Sequence, residues 1–321
     1  RRFVLLWGRE DLPGEPGLTV VEMMEAALEG RVKAMYIMGE NPVVSDPKAG
    51  DTVKALESLD FLVVQDLFMT ETAQMAHLVL PVACWAEKSG SYTSTERRVQ
   101  WSEKAVEPQG VLPDLEVIGL VGKKMGLWER VPSPEEVLRE INQAIPAYGG
   151  ITPERLRSTP EGLFWPCPDP THPGTPILHR EKFPTPDGRA SFYPVTYRPP
   201  VEEPGPDFPL TMTTGRRVVH YNSGAMSRNL PHLSRYAPTL WVEVNPRDAE
   251  ELGLTEGDLV RVSSPRGKVE ARVKVSESVL PGLVFLPFHF PGVNFLTLKE
   301  LDPEARIPAY KVGVCRVEKG A

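Results

Sequence analysis

The stretch VVEMMEAALEGRVKAMYIMGENP, Val20 to Pro42, decides the fold. Its first nine residues, Val20 to Leu28, place apolar side chains at helical spacing with glutamates on the opposite face, the pattern of an amphipathic helix. Ala34 to Met38 is then a short unbroken apolar run that stops at Gly39, which reads as a buried strand ending in a turn. The alternation continues downstream. Val53 to Leu59 reads as a helix, Phe61 to Val64 as a strand, Thr70 to Ala76 as a helical turn, and Leu78 to Leu80 as a strand closed by Pro81. Helix and strand alternating through short loops predict a layered α/β domain with a largely parallel sheet. Such sheets take ligands at the loops leaving the carboxyl ends of the strands.

Further along, Asp114 to Met125 and Pro134 to Ile145 read as two more amphipathic helices. Proline and glycine then crowd together between Thr152 and Pro209, as in Trp165-Pro166-Cys167-Pro168-Asp169-Pro170, which excludes continuous helix and predicts an irregular connecting segment. That segment keeps Trp165, Phe183, Phe192 and Tyr193, so it is expected to pack against the folded body. The last third is β-rich. Leu210 to Thr213 reads as a strand, Leu259 to Ser263 and Val269 to Val275 as a hairpin turning at Ser264-Pro265-Arg266-Gly267, and Val284 to Pro287 as another strand. A short helix from Pro246 to Leu252 ends at Gly253, a residue suited to a left-handed C-cap. The expected organisation is an α/β domain over residues 1–130, a connecting segment over 131–206, and a closed β-barrel over 207–321.

Composition narrows the function classes. The chain has 321 residues, 41% of them hydrophobic and 25% charged, the make-up of a globular protein. A formal net charge of −7 without basic clusters offers no electrostatic footprint for nucleic acid or an anionic membrane surface. No apolar run approaches the roughly 20 residues needed to span a bilayer. Cys84, Cys167 and Cys315 stand far apart, so neither a zinc ribbon nor an iron–sulfur cluster can be built from them. The opening Arg1-Arg2-Phe3 has no initiator methionine and no signal-peptide pattern, and a longer parent polypeptide is expected.

Several polar constellations follow the strands. Met38-Gly39-Glu40-Asn41-Pro42 can bring a backbone close to a ligand and offer an amide to a nucleotide or pterin edge, although on residue type alone a plain strand-to-helix turn is the better account. At Val64-Gln65-Asp66 a carboxylate can accept from a guanine or simply cap the next turn. Glu87-Lys88 and Thr93-Ser94-Thr95-Glu96-Arg97-Arg98 combine phosphate-matching cations with the character of a solvated charged loop. Thr213-Thr214-Gly215-Arg216 leading to His220-Tyr221-Asn222-Ser223-Gly224 gathers the groups a diphosphate cradle requires. There is no G-x-S-x-G elbow, no GxxxxGK[ST] loop and no H-E-x-x-H, which sets aside serine hydrolysis, P-loop chemistry and standard zinc hydrolysis.

Taken together, seven ordered blocks resemble the molybdopterin guanine dinucleotide-dependent oxidoreductases, and among them formate dehydrogenase large subunits. They are GLTVVEMM at Gly17 to Met24, YIMGENPVVSDP at Tyr36 to Pro47, VVQDLFMTETA at Val63 to Ala73, and VLPVACWAEKSGSYTSTERRVQ at Val79 to Gln100. GLFWPCPDPTHPGTPILH at Gly162 to His179, TTGRRVVHYNSGAMSRN at Thr213 to Asn229 and NFLTLKELDPEARIPAYK at Asn294 to Lys311 complete them. The resemblance implies a C-terminal half, comprising a Rossmann-like α/β domain followed by a six-stranded double-psi-type barrel. It implies bis-molybdopterin guanine dinucleotide with molybdenum or tungsten. A [4Fe–4S] cluster and the metal's protein ligand are expected only upstream, in the N-terminal half of the same polypeptide.

Matched position by position, the resemblance assigns cofactor contacts to Asn41, Gln65, Asp66, Lys88 and Asp114, and from the barrel to Thr214, Gly215, Arg216, His220, Asn222, Ser223, Phe288, Asn294 and Lys311. It assigns no catalytic residue and no metal ligand within this chain. Two positions depart from the family pattern: His77 stands where Asp is usual, and Ser94 where Asn is common. The implied reaction is formate oxidation to carbon dioxide, with electrons leaving through partner subunits or domains in the cytoplasm, and this half alone is expected to be inactive. The alternatives are a non-catalytic respiratory-complex subunit that keeps the fold, and a sister enzyme such as nitrate reductase.

Overall fold

The computed structural model describes residues 2–320; Arg1 and Ala321, at the ends of the two expected domains, lie outside it. The chain opens with α1 (Arg2–Trp7) and α2 (Val20–Leu28), followed by β1 (Ala34–Met38), α3 (Pro42–Ser45), α4 (Ala49–Glu57), β2 (Phe61–Asp66) and β3 (Leu78–Pro81). Next come β4 (Gly90–Thr93), β5 (Arg98–Ser102), α5 (Asp114–Lys124), α6 (Pro134–Ala144), α7 (Pro153–Ser158) and β6 (Leu163–Phe164). The last third holds β7 (Leu210–Gly215), α8 (Pro231–Tyr236), β8 (Trp241–Val244), α9 (Pro246–Glu251), β9 (Leu259–Ser264), β10 (Gly267–Val275), β11 (Leu283–Pro287) and β12 (Gly313–Lys319). By compactness these divide into one unit of residues 1–16 and 81–196 and another of residues 17–80 and 197–321.

In the second unit, β1, β2 and β3 form one sheet in that order, and β1 runs parallel to β2 with Met38 opposite Gln65. The helix read from Val20 to Leu28 is present. Thr19 and Glu22 close a capping box at its start, Glu22 Oε2 accepting from Thr19 N at 2.8 Å. Met24 and Ala27 of α2, Leu56 of α4, and Leu62 and Val64 of β2 pack into one apolar core. The helix expected at Val53 starts earlier, at Ala49, where Lys48 in a left-handed conformation pairs with Asp51 at 2.7 Å and sets the first turn. The helical turn expected over Thr70 to Ala76 is reduced to a 3-10 turn at Ala73–Met75.

The six strands from β7 to β12, without the others, close into a barrel in the order β10-β8-β11-β7-β12-β9. Two parallel pairs, β7 with β11 and β8 with β10, sit within otherwise antiparallel neighbours, as a double-psi-type barrel requires. Alternate residues such as Val242, Val244, Val260, Val262, Val284 and Leu286 point inward and fill it. Cys315 is one of them, and burial pushes its thiol up to about 12, out of reach of redox chemistry at neutral pH. Gly253 takes the left-handed conformation expected past α9, with φ 64°.

Still inside the second unit, the α/β layer and the barrel are pinned together. Asn294 Nδ2 donates to Val44 O at 2.8 Å and Ser45 O at 3.0 Å. Tyr310 Oη donates to Ser45 O at 3.1 Å, and Lys299 pairs with Glu25 at 2.7 Å.

The first unit corrects two expectations. The run Thr93 to Arg98 is the turn of a β4–β5 hairpin, and Arg97 donates to the carbonyls of Trp165, Thr175 and Pro176. Arg98 lies over the Phe164 ring at 4.9 Å. These arginines therefore hold the Pro-rich segment instead of standing as a solvated loop. That segment is also less irregular than expected, since α7 and β6 fall inside it and Leu163, Trp165 and Cys167 pack against Val99, Leu138 and Ile151. Its far end does not follow: Phe192 is 97% exposed and Tyr193 81%, against the expectation that both would be packed.

Candidate functional site

At the carboxyl ends of β1 and β2, Gly39 takes a positive φ of 63° and donates its N–H to Gln65 O at 2.9 Å, locking the two strand ends together. Gln65 is fully buried, and its Oε1 accepts from Tyr36 Oη. Asp66 caps its own turn, Oδ1 accepting from Leu67 N at 2.6 Å and Phe68 N at 3.3 Å. Asn41 is buried with both ends of its amide engaged. Nδ2 donates to Glu71 Oε2 at 2.8 Å, and Oδ1 accepts from Thr72 Oγ1 at 2.8 Å and Thr72 N at 3.2 Å. Arg228, from the barrel side, donates to the other Glu71 oxygen at 3.1 Å. Burial works to raise the Glu71 carboxyl, but the Asn41 amide, its own backbone and Arg228 outweigh it and hold the group below the usual carboxylate range. In this arrangement Asn41 braces the turn.

The second cluster lies where β7 and β11 leave the barrel side by side, with Gly215 opposite Pro287. A Cβ at Gly215 would stand 2.7 Å from the Phe285 ring, so any larger residue here would have to push that ring aside. Thr214 Oγ1 donates to Tyr310 O at 2.9 Å, and Lys311 Nζ donates to Thr214 O at 2.8 Å. The Arg216 guanidinium stands 5.2 Å from the Phe288 ring centroid and donates to Asn222 Oδ1 at 3.1 Å. Asn222 has a φ of 46°, and Ser223 beside it is half-buried. Among the described residues neither Arg216 nor Lys311 forms an ion pair. Partial burial and the nearby Arg216 charge pull the Lys311 pKa below its ordinary value. Two cations held near one another without a counter-ion make a place for an anion.

Two histidines support this loop. His220 is buried with both ring nitrogens satisfied internally, Nε2 3.0 Å from Ala237 O and Nδ1 3.2 Å from Ser227 Oγ. His289, which the sequence reading passed over, accepts from Arg217 N at 2.7 Å through Nε2 and donates to Asn222 O through Nδ1. Nothing in the run Pro287-Phe288-His289-Phe290 marks the histidine except its place at a strand end. Beside the loop a cavity of about 550 Å³ is lined by Arg216, Arg217, Lys274, Tyr236 and Trp241, and the buried Glu243 takes Lys274 at 3.0 Å and Arg217 at 3.7 Å.

Lys88 and Asp114 belong to the first unit. They pair with each other, Asp114 opening α5, and both border a cavity of about 890 Å³ walled by Tyr92, Leu115, Val131 and Val137. The other twelve sequence-derived positions lie in the second unit. Asn294 is among them, with its amide nitrogen on the Val44 and Ser45 carbonyls and its Oδ1 buried without a partner. The departures also find local roles. His77 Nδ1 accepts from Leu62 N at 2.9 Å at the start of β2, and Ser94 closes the hairpin turn, accepting from Arg97 N at 2.9 Å through its carbonyl.

Residues 210–314, which span β7 to the start of β12, match the molybdopterin dinucleotide binding domain family, and residues 6–114 match the molybdopterin oxidoreductase family. The chain thus carries regions similar to both of these molybdopterin families. It is 45% identical over 97% of its length to the F420-dependent formate dehydrogenase subunit alpha of Methanocaldococcus jannaschii, covering 46% of that protein. It is 44% identical over 99% of its length to the F420-dependent formate dehydrogenase 2 subunit alpha of Methanococcus maripaludis, covering 47%. The assimilatory nitrate reductase catalytic subunit of Bacillus subtilis is 35% identical over 97% of the chain, which covers 46% of it. The chain thus spans about half the length of these curated relatives. Acetylene hydratase from Pelobacter acetylenicus superposes with a TM-score of 0.71 over 93% of the chain and 46% of that structure at 21% identity, a likeness of fold. Among the described residues no helix is long and apolar enough to cross a membrane.

Proposed function

We propose that this chain is the dinucleotide-gripping part of a molybdenum or tungsten formate dehydrogenase that oxidises formate to carbon dioxide in the cytoplasm. The observation that carries the reading is the convergence of Arg216 and Lys311 on the Thr214-Gly215 strand end, where Lys311 is pulled below its ordinary pKa and neither cation forms an ion pair among the described residues. That donor set fits a pterin dinucleotide. Arg216 and Lys311 match its diphosphate, the Phe288 face matches a flat heterocycle, and Gly215 allows close backbone approach. Lys88 and Asp114, in the other unit, pair with each other, and a phosphate on Lys88 or a guanine edge on Asp114 would have to share or replace that pairing. Asn41, Gln65, Asp66, His220 and Asn294 serve mainly by shaping the turns, since their side chains are bonded within the chain.

The bound pterin would supply the redox-active metal and a route for charge. The chain's own part is to neutralise the phosphates, orient the ring and keep the loops rigid. The longer polypeptide and its subunits would supply the substrate channel, the electron-transfer partners, the metal's protein ligand and the [4Fe–4S] cluster, a reading supported by the 44–45% identity to formate dehydrogenase alpha subunits. Those identities exceed the 35% to nitrate reductase, which favours formate as substrate. In the complete polypeptide, Lys311→Ala should lower cofactor retention about ten- to a hundredfold, the scale of one lost hydrogen bond to a charged group. Metal and pterin content per chain, with formate oxidation assayed alongside, checks this. Full occupancy in the variant would remove Lys311 from the site, and a complete polypeptide holding neither metal nor pterin would favour a non-catalytic subunit.

A further inference from the structure

We propose that His289 is the positioning residue of the barrel's anion-holding loop, a neutral imidazole that ties the loop's two ends together and so presents Arg216 over Phe288. The loop leaves β7 at Gly215 and turns back at Asn222. Between them Val219 and His220 pack inward while Val218 and Tyr221 are exposed, so the loop is anchored at its middle and its two ends need a separate tie. His289, on the exit of β11, is fully buried and reaches both ends at once. Its Nε2 accepts from Arg217 N at 2.7 Å, so the ring proton must sit on Nδ1, where it donates to Asn222 O. Asn222 in turn accepts from Arg216 through its side chain at 3.1 Å. Gly224 completes the arrangement: a Cβ there would lie 2.8 Å from His289 O, so the returning backbone can pass only without one.

The protonation state is part of the device. Adding a proton to Nε2 would set two donors against each other at Arg217 N and open the clamp. Of the groups facing the ring, the Asn222 carbonyl on Nδ1 favours that proton, His220 at a centroid distance of 5.9 Å and the Arg216 guanidinium oppose it, and the Phe288 ring at 5.1 Å is neutral. Burial, with His220 and Arg216 adding to it, lowers the His289 pKa from its ordinary value, and the clamp is closed at neutral pH. The identity of the anion rests on the function proposed above; the clamp itself does not.

A carboxamide carries a donor and an acceptor at nearly the separation of the two imidazole nitrogens and has no proton to gain in this range. The complete polypeptide is therefore compared as wild type, His289→Gln and His289→Leu, by amide hydrogen exchange at residues 216–223 and by pterin content per chain, from pH 7.5 down to 5. The expected result is that H289L exchanges at least tenfold faster at Arg217 and retains less pterin, that H289Q restores both, and that acid moves the wild type but not H289Q toward the H289L behaviour. Exchange in H289L equal to wild type, or H289Q no better than H289L, would overturn the clamp. If H289L does not fold, an identical acid response in wild type and H289Q overturns it instead. A wild type without pterin would sink the function reading, while the exchange comparison still judges the clamp.

Discussion

Asp46 is a residue whose charge is opposed by its surroundings. It is 8% exposed, its Oδ1 takes a 3.2 Å bond from Ser45 Oγ, and its Oδ2 is buried with no partner. Burial first, and the neighbouring Glu40 charge second, raise its pKa from 3.8 to about 6. Because the folded state holds this proton more tightly than the unfolded one, stability falls as pH rises between those two values, and the full penalty applies above about 6. A shift of this size corresponds to about 3 kcal/mol at most. Asp46→Asn should therefore flatten the pH dependence, gaining stability at pH 7 and little at pH 4. Urea titrations at both values read this directly, and an unchanged difference between them would discard it. The same lesson governs how far the site could be read from residue types. Asn41, Gln65 and Asn294 have the amides a ligand edge would want, but type gives only hydrogen-bonding capacity, and Glu71, Tyr36 and the Val44 carbonyl take it up here. Arg216 and Lys311 keep their charge unpaired because no carboxylate of the described residues comes within 4.0 Å of either, Glu243 being taken by Arg217 and Lys274, a fact of three-dimensional placement that no spacing encodes.

At the scale of elements, periodicity found what periodicity can find. α2, β1, β2, α6, β9 and β10 all carry strong apolar patterns and all appear within a few residues of their expected bounds. The β4–β5 hairpin was hidden because Gly90–Thr93 is mostly exposed and the charged turn after it resembles solvated loop. Its arginines are explained only by what crosses over them. Arg97 sits in the left-handed region with φ 71° and reaches three carbonyls of the segment from Trp165 to Pro176, two of them at 3.0 Å. Removing that fork would leave those carbonyls without their charged donor, at about 1.5–3 kcal/mol for each bond lost to a charged group. In Arg97→Ala, residues 165–180 should come loose while β4 and β5 remain. Limited proteolysis with mass mapping tests this: new cleavage confined to that stretch is expected, and a digestion pattern like that of the wild type would show that the core around Cys167 holds the segment by itself.

At the scale of the molecule, the α/β layer of residues 17–80 and the barrel lie in one compact unit although 116 residues, Pro81 to Thr196, separate the two parts of that unit in the chain. The two fold classes were legible because each is built from local patterns. Their joint was not, because it depends on a few polar groups far apart in sequence. Asn294, 250 positions from Val44, closes two backbone carbonyls of α3 with one amide. Tyr310 adds a third bond, and burial, helped by Asp46, pushes its phenol well above the usual range, so it stays a donor at any physiological pH. If the joint makes the layer and barrel unfold together, loosening it should separate them. Asn294→Ala removes both amide bonds and leaves two carbonyls short of a donor, about 2–4 kcal/mol in all if each behaves as an ordinary buried loss. The expected outcome in urea is a lower midpoint followed by a split, with barrel fluorescence, read from Trp241 in a background where the other five tryptophans are replaced by Phe, lagging behind the loss of helical circular dichroism. Coincident curves at the wild-type midpoint would mean that the packing of the Val293–Phe295 turn against α3 and α4 carries the joint and the amide does not.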